Sequence, residues 1–132
     1  MITLAGVRRA LRGHRPQPAD APDARPAAVA LVLLEDQHGL EVLLIRRAER
    51  TGDPWSGQIA LPRRVPLVAS DEVQRAFWLP LARLFAPGVR REITVTLSGA
   101  ERTFPAYLVD EDVIWGMTER ILTPFLGLVA PL

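Results

Sequence analysis

The arginines at 46, 47 and 50, clustered at the end of the apolar segment EVLLIRRAER, are the residues here best suited to chemistry. An arginine fork is planar, permanently charged and carries parallel donors that match the oxygens of a phosphate. Arg46, Arg47 and Arg50 can therefore hold a diphosphate, or they can be the solvated end of a strand. The stretch that follows, TGDPWSG at 51–57, is turn-rich and contains one large aromatic. Trp55 either stacks on a base or staples that loop, the staple being the simpler reading. Gln58 either orients an amide or a phosphate or is an ordinary polar residue at a strand end.

The carboxylates are poorly placed to hold a metal. Asp71 and Glu72 stand alone, while Asp110, Glu111 and Asp112 run consecutively. Neighbouring residues of an extended chain point to opposite faces, so such a run makes a poor cage for one hard cation. His14 and His38 lie in a proline-rich stretch and a turn, remote from any partner motif, and read as ordinary surface residues.

The elements that must position these side chains can be read from apolar spacing and punctuation. ITLAGVRRALR at 2–12 sets Leu4, Val7 and Leu11 on one helical face, and Gly13 ends it. HRPQPADAPDARP cannot continue that helix, so 1–26 reads as a helix and a proline-rich arm, followed by one domain over 27–132. AAVALVLL at 27–34 is continuously apolar, which predicts a strand covered on both faces. EDQHG turns it into EVLLIRRA, a hairpin that delivers Arg46 and Arg47 to the end of a sheet. Further on, FWLP reads as an aromatic strand or bend, and 80–85 as a short helix. REITVTL and RTFPAYLV form a second hairpin across SGAE. VIWGMTERILTPFLGLV, from 113, reads as a closing helix with Trp115 and Met117 in the core.

Composition bounds the function. At 132 residues the chain suits one domain. Sixteen basic against fifteen acidic side chains leave a net charge of +1, and basic residues are not interleaved with aromatics, which disfavours nucleic acid as a partner. The run 27–34 falls far short of the roughly 20 apolar residues of a spanning helix. Arginines 8, 9 and 12 interrupt any signal-peptide core, and the absence of cysteine excludes a disulfide framework and a thiolate metal site. The expectation is a soluble cytoplasmic protein with no membrane partner.

RRAERTGDPWSGQIALP, followed in order by FWLPLARL, EITVTL, FPAYLV and IWGMTERIL, resembles the Nudix hydrolases, in particular the branch related to coenzyme A diphosphatases. The likeness runs from Ala28 to Leu122. It implies an α/β (α+β) fold, a Nudix-type α/β/α sandwich with a mixed central sheet. It also implies Mg2+- or Mn2+-dependent hydrolysis of a nucleoside diphosphate linked to another moiety, such as coenzyme A, with the arginines as phosphate clamp. In that family the GQ-x-A-[LF]-P segment leads into the Nudix box, whose R-E-x-x-E-E helix supplies the metal ligands. Here Pro62 is followed by Arg63 and Arg64, and R-E-x-x-E-E occurs nowhere. The spacing from Arg47 to Gly57 also departs from the coenzyme A signature.

Two seams, near 62–63 and near 70–71, therefore interrupt the family pattern. A parent chain with further residues at both explains them more simply than two separate deletions. If the chain is complete, the resemblance implies a non-catalytic relic that binds a ligand or a partner, its bare sheet face serving as an interface such as a homodimer's.

Overall fold

The computed structural model describes residues 1–49, 51–52, 57–62 and 73–130. Helix α1 spans Leu4–Gly13. The Thr3 hydroxyl caps it, accepting from the Gly6 N–H at 3.0 Å and satisfying one of the donors a helix start leaves open. Its end at Gly13 is where the sequence put it. Val7 is buried and Leu4 and Ala10 pack on the core, whereas Leu11, expected on the same face, is half exposed in the last turn. The proline-rich arm after it has no regular structure and is exposed from His14 to Val29.

The first sheet is built on β2 (Gly39–Arg47), the best-buried strand of the chain. Strand β4 (Val73–Pro80) pairs along one edge of β2 from Glu41 to Arg47. The other edge is shared end to end by β1 (Leu33–Asp36) and the short β3 (Ile59–Ala60). This sharing corrects the reading of AAVALVLL as a doubly covered strand. Regular pairing begins only at Leu33, because β3 occupies the edge of β2 opposite Ile45 and Arg46. Residues 27–29 are exposed, and Leu34 is 45% exposed.

After β4 a 3-10 turn, Leu81–Phe85, buries Leu84 and the fully covered Leu81. The short helix expected at 80–85 is thus present in its tighter form. The second sheet is a meander of β5 (Arg90–Leu97), β6 (Ala100–Val109) and β7 (Asp112–Trp115). Ser98 and Gly99 connect β5 to β6 with φ of 52° and 78°. Two consecutive left-handed residues suit the twist of a two-residue hairpin, so Ala100 and Glu101 belong to the strand rather than the turn.

The closing helix is shorter than its sequence suggests. α2 runs from Met117 to Val129, and Val113, Ile114 and Trp115 form β7 instead. Gly116 makes the break at φ 69° and ψ −135°, a conformation that suits glycine. β-Branched and aromatic residues before it pack well on a pleated ladder with β6. Ile114 is fully buried, Trp115 is half-buried, and Met117, expected in the core, is 69% exposed because it starts the helix beyond that glycine.

Val42, Leu44, Ile59 and Leu79 of the first sheet meet Tyr107, Val109 and Ile114 of the second. Val7 of α1 and Leu122, Phe125 and Leu126 of α2 close the same core. Leu44, Leu81, Ile114 and Leu122 are completely covered, each contributing roughly 1.5–3 kcal/mol of burial free energy. The architecture is α+β, with two helices and two antiparallel sheets. Every strand pair among the described residues is antiparallel, so the mixed central sheet is corrected: the parallel pair that such a sheet needs does not occur among them. The suspected seams near 62–63 and 70–71 lie at or within 63–72, outside the described residues.

Candidate functional site

Alternation along β2 decides which arginine can act. Val42, Leu44 and Arg46 share the face turned to the core, while Leu43, Ile45 and Arg47 share the other. The register shift at this point places its extra residue, Gln74, in β4, so β2 keeps its alternation. Arg46 and Arg47 are therefore sent to opposite faces, and the clamp suggested by their adjacency does not form from both.

Arg46 lies opposite Arg75 of β4 on one side and Ile59 of β3 on the other. Two guanidinium groups on one face need a counter-charge, and β7 supplies it. The Asp112 carboxylate accepts from Arg75 Nη2 at 2.6 Å and stands 3.8 Å from Arg46 Nη1. The first is a charge-assisted hydrogen bond; the second is an ion pair without one. Arg75 is further steadied by its position over the Phe77 ring, 4.4 Å from the centroid. Arg46 Nε is buried and without a hydrogen-bond partner among the described residues. Its guanidinium is thus the under-satisfied member of the trio.

A cleft of about 310 Å3 opens beside Arg46, between the ends of β2 and β3 and the edge of β7. Gly57, Gln58, Glu111, Asp112 and Trp115 line it with Arg46. The backbone continues the ladder here: Arg47 N–H donates to Gln58 O at 2.9 Å, and Gly57 N–H to Arg47 O at 3.1 Å. Gly57 adopts φ 74°, the left-handed turn that returns the chain from the arginines to β3. Thr118, buried at the start of α2, donates to Ile59 O at 2.9 Å and ties the helix to β3.

The loop carrying Glu111 is held from below. Arg83 makes a two-pronged bond to Asp110, at 2.8 and 2.9 Å. That hydrogen bonding, with the charge of Arg83, holds the Asp110 carboxyl below its ordinary range. On the far side of β6, Arg90, Tyr107, Glu119 and Thr123 form a closed network of 2.6–3.0 Å bonds. It joins β5 and β6 to α2.

Of the residues singled out from the sequence, Arg46 and Gln58 come together at the cleft. Arg47 joins the adjoining ladder through its backbone, and Arg50 and Trp55 lie outside the described residues. His14 and His38 are exposed, as expected. Sequence reasoning missed Arg75, Asp112, Glu111 and Trp115. Glu111 and Asp112 left a trace, in the consecutive carboxylates. Two of the three are drawn to separate arginines, Asp110 to Arg83 and Asp112 to Arg75.

These carboxylates do not fit Mg2+ or Mn2+. No three acidic or histidine side chains cluster among the described residues, and Asp112 is already committed to Arg75. Also among the described residues, no helix is long and apolar enough to cross a membrane. No family model matches this chain, and no curated protein matches it.

Proposed function

We propose that this chain is a Nudix-related protein that binds the diphosphate of a nucleotide at the Arg46 cleft. The observation that carries the reading is the state of Arg46: a guanidinium at a cleft, 3.8 Å from the Asp112 carboxylate, with a buried Nε that has no partner among the described residues. An arginine so placed has unspent capacity for a divalent oxyanion. The ligand is a nucleoside diphosphate linked to another moiety, coenzyme A being one candidate by resemblance. Inorganic pyrophosphate, titrated by calorimetry, tests the clamp. Binding that Arg46→Ala abolishes and Arg47→Ala leaves in place supports it; binding indifferent to Arg46 refutes it.

A hydrolytic reading stands beside this one, favoured by the surface of the first sheet that faces away from the core. Leu34 is 45% and Trp78 40% exposed at its margins while Leu43 and Ile45 of β2 are buried there, and a family member would cover that face with its box helix. Mg2+ or Mn2+ would then be held by box carboxylates that this sequence lacks. Intact mass decides between the two. A mass above 14.6 kDa, together with Mg2+-dependent release of phosphate from a dinucleotide diphosphate, supports hydrolysis. A matching mass without turnover leaves the binding module. In that case the exposed face is a natural homodimer interface, which sedimentation would detect.

A further inference from the structure

We infer that the outer edge of β5 is the seam of a homodimer, where two copies of the chain pair antiparallel about Thr94. This edge is distinct from the Arg46 cleft and from the first-sheet face that bears Trp78, so the inference rests on neither. Among the described residues no strand pairs with that side of β5. The Leu108 N–H donates to Val89 O at 2.8 Å, and opposed residues of an antiparallel ladder alternate between bonded and non-bonded pairs. Arg91, Ile93, Val95 and Leu97 therefore spend their backbone groups on β6, while Glu92, Thr94 and Thr96 aim theirs outward. All three of these side chains are exposed.

A long open edge is ordinarily blunted by proline, lysine, a bulge or an inward charge. β4 follows that rule, with its extra residue Gln74 and its closing Pro80, and β1 and β7 are only 4 residues each. β5 does not. Its pairing with β6 is unbroken from Arg90 to Leu97, its charges are confined to Arg90, Arg91 and Glu92, and Ile93–Thr96 is an uncharged run of β-branched residues. The side chains say which strand it accepts. With Thr94 opposite its own counterpart, Glu92 lies opposite Thr96 of the second copy, Ile93 opposite Val95 and Arg91 opposite Leu97. No like charges meet, hydroxyl faces hydroxyl at the axis, and Ile93 and Val95 of the two copies pack together across the seam. Sliding the copies toward Arg90 brings the two Glu92 carboxylates together, and then the Arg91 guanidinium groups. Sliding them the other way runs the ladder into the turn at Ser98. A two-fold pairing uses the same edge of both copies, so the assembly closes at two.

Sedimentation of the purified chain at micromolar concentration is expected to give twice the mass of one chain. Thr94→Arg, at an exposed position whose N–H takes no part in the β6 ladder, sets two positive charges against each other at the axis. It is expected to sediment as the monomer with an unchanged far-ultraviolet circular dichroism spectrum. The chain has no cysteine, so Thr94→Cys reports the axis directly. Across the axis its Cα atoms stand about 5.5 Å apart, within reach of a disulfide, whereas those of Thr96→Cys stand about 14 Å apart, beyond it. With copper phenanthroline as oxidant, Thr94→Cys is expected to run as a covalent dimer on a non-reducing gel and Thr96→Cys as a monomer. A parent chain that sediments as a monomer overturns the inference and leaves the edge to an extended peptide of another protein. A dimer that survives Thr94→Arg, or that cross-links no more readily through Thr94→Cys than through Thr96→Cys, overturns it as well and belongs to another surface.

Discussion

Replacing Asp112 with asparagine removes one negative charge and almost no volume, so it isolates the electrostatic duty of that carboxylate. Asp112 is 8% exposed and accepts from Arg75 at 2.6 Å while facing Arg46 at 3.8 Å. A hydrogen bond to a charged group contributes about 1.5–3 kcal/mol. The Arg75 side chain is 42% exposed, so water recovers part of the loss, and the amide oxygen keeps a weaker bond. The expected cost is about 2 kcal/mol, or a fall in Tm of about 6–8 °C for a domain of this size.

The same substitution should tighten anion binding. A carboxylate roughly 6 Å from a bound anionic oxygen repels it by about 0.7–1.4 kcal/mol at an effective dielectric constant of about 40–80. Its removal corresponds to about 3- to 10-fold tighter pyrophosphate binding. Differential scanning calorimetry and calorimetric titration of the purified variant measure the two effects. They should move in opposite senses, with lower stability and higher affinity. An unchanged Tm would mean that Arg75 and Asp112 are solvated independently. Weakened pyrophosphate binding would mean that Asp112 organises the cleft rather than competing for its arginines.

Thr118→Val keeps the shape of a buried residue and deletes its bond to Ile59 O, leaving that carbonyl short of a partner. A loss of about 1–2 kcal/mol is expected as a lower urea midpoint at constant slope. Gly116→Ala meets no neighbouring atom within 4 Å, so any cost comes from φ 69° alone. It should destabilise by about 1–3 kcal/mol in thermal unfolding, and an unchanged Tm would show that the break between β7 and α2 tolerates a side chain. Arg83→Ala tests pH dependence. Hydrogen bonding to Arg83 lowers the Asp110 pKa in the folded protein, so its stabilisation is present above the unfolded carboxylate pKa and is lost as pH falls through the folded one. The stability gap between the parent and Arg83→Ala should be full at neutral pH and close in the acid range; a gap constant with pH refutes the linkage.

Local punctuation and short-range pattern were legible in the sequence. The end of α1 at Gly13, the two hairpins, the buried turn at 81–85 and the exposed proline arm depend on residues within a few positions of one another. Steric rules for proline and glycine and the two-residue period of a strand act at that range. The same period already implied that Arg46 and Arg47 part to opposite faces. Edge competition was not legible. That β3, rather than the residues before Val32, lies beside the end of β2 follows from which segment fits beside Ile45, a contact between distant parts of the chain. Nor could the sequence say that 113–115 joins β6, since an apolar run before a helix fits either state until a neighbouring strand offers its hydrogen bonds. The candidate site was half visible for the same reason. Arg46 and Gln58 stand at the end of one hairpin and its return. Asp112 and Trp115 reach the cleft, and Arg75 reaches Asp112, only because the two sheets pack together, and it is the charges set against Arg46 by that packing that determine what the cleft can hold.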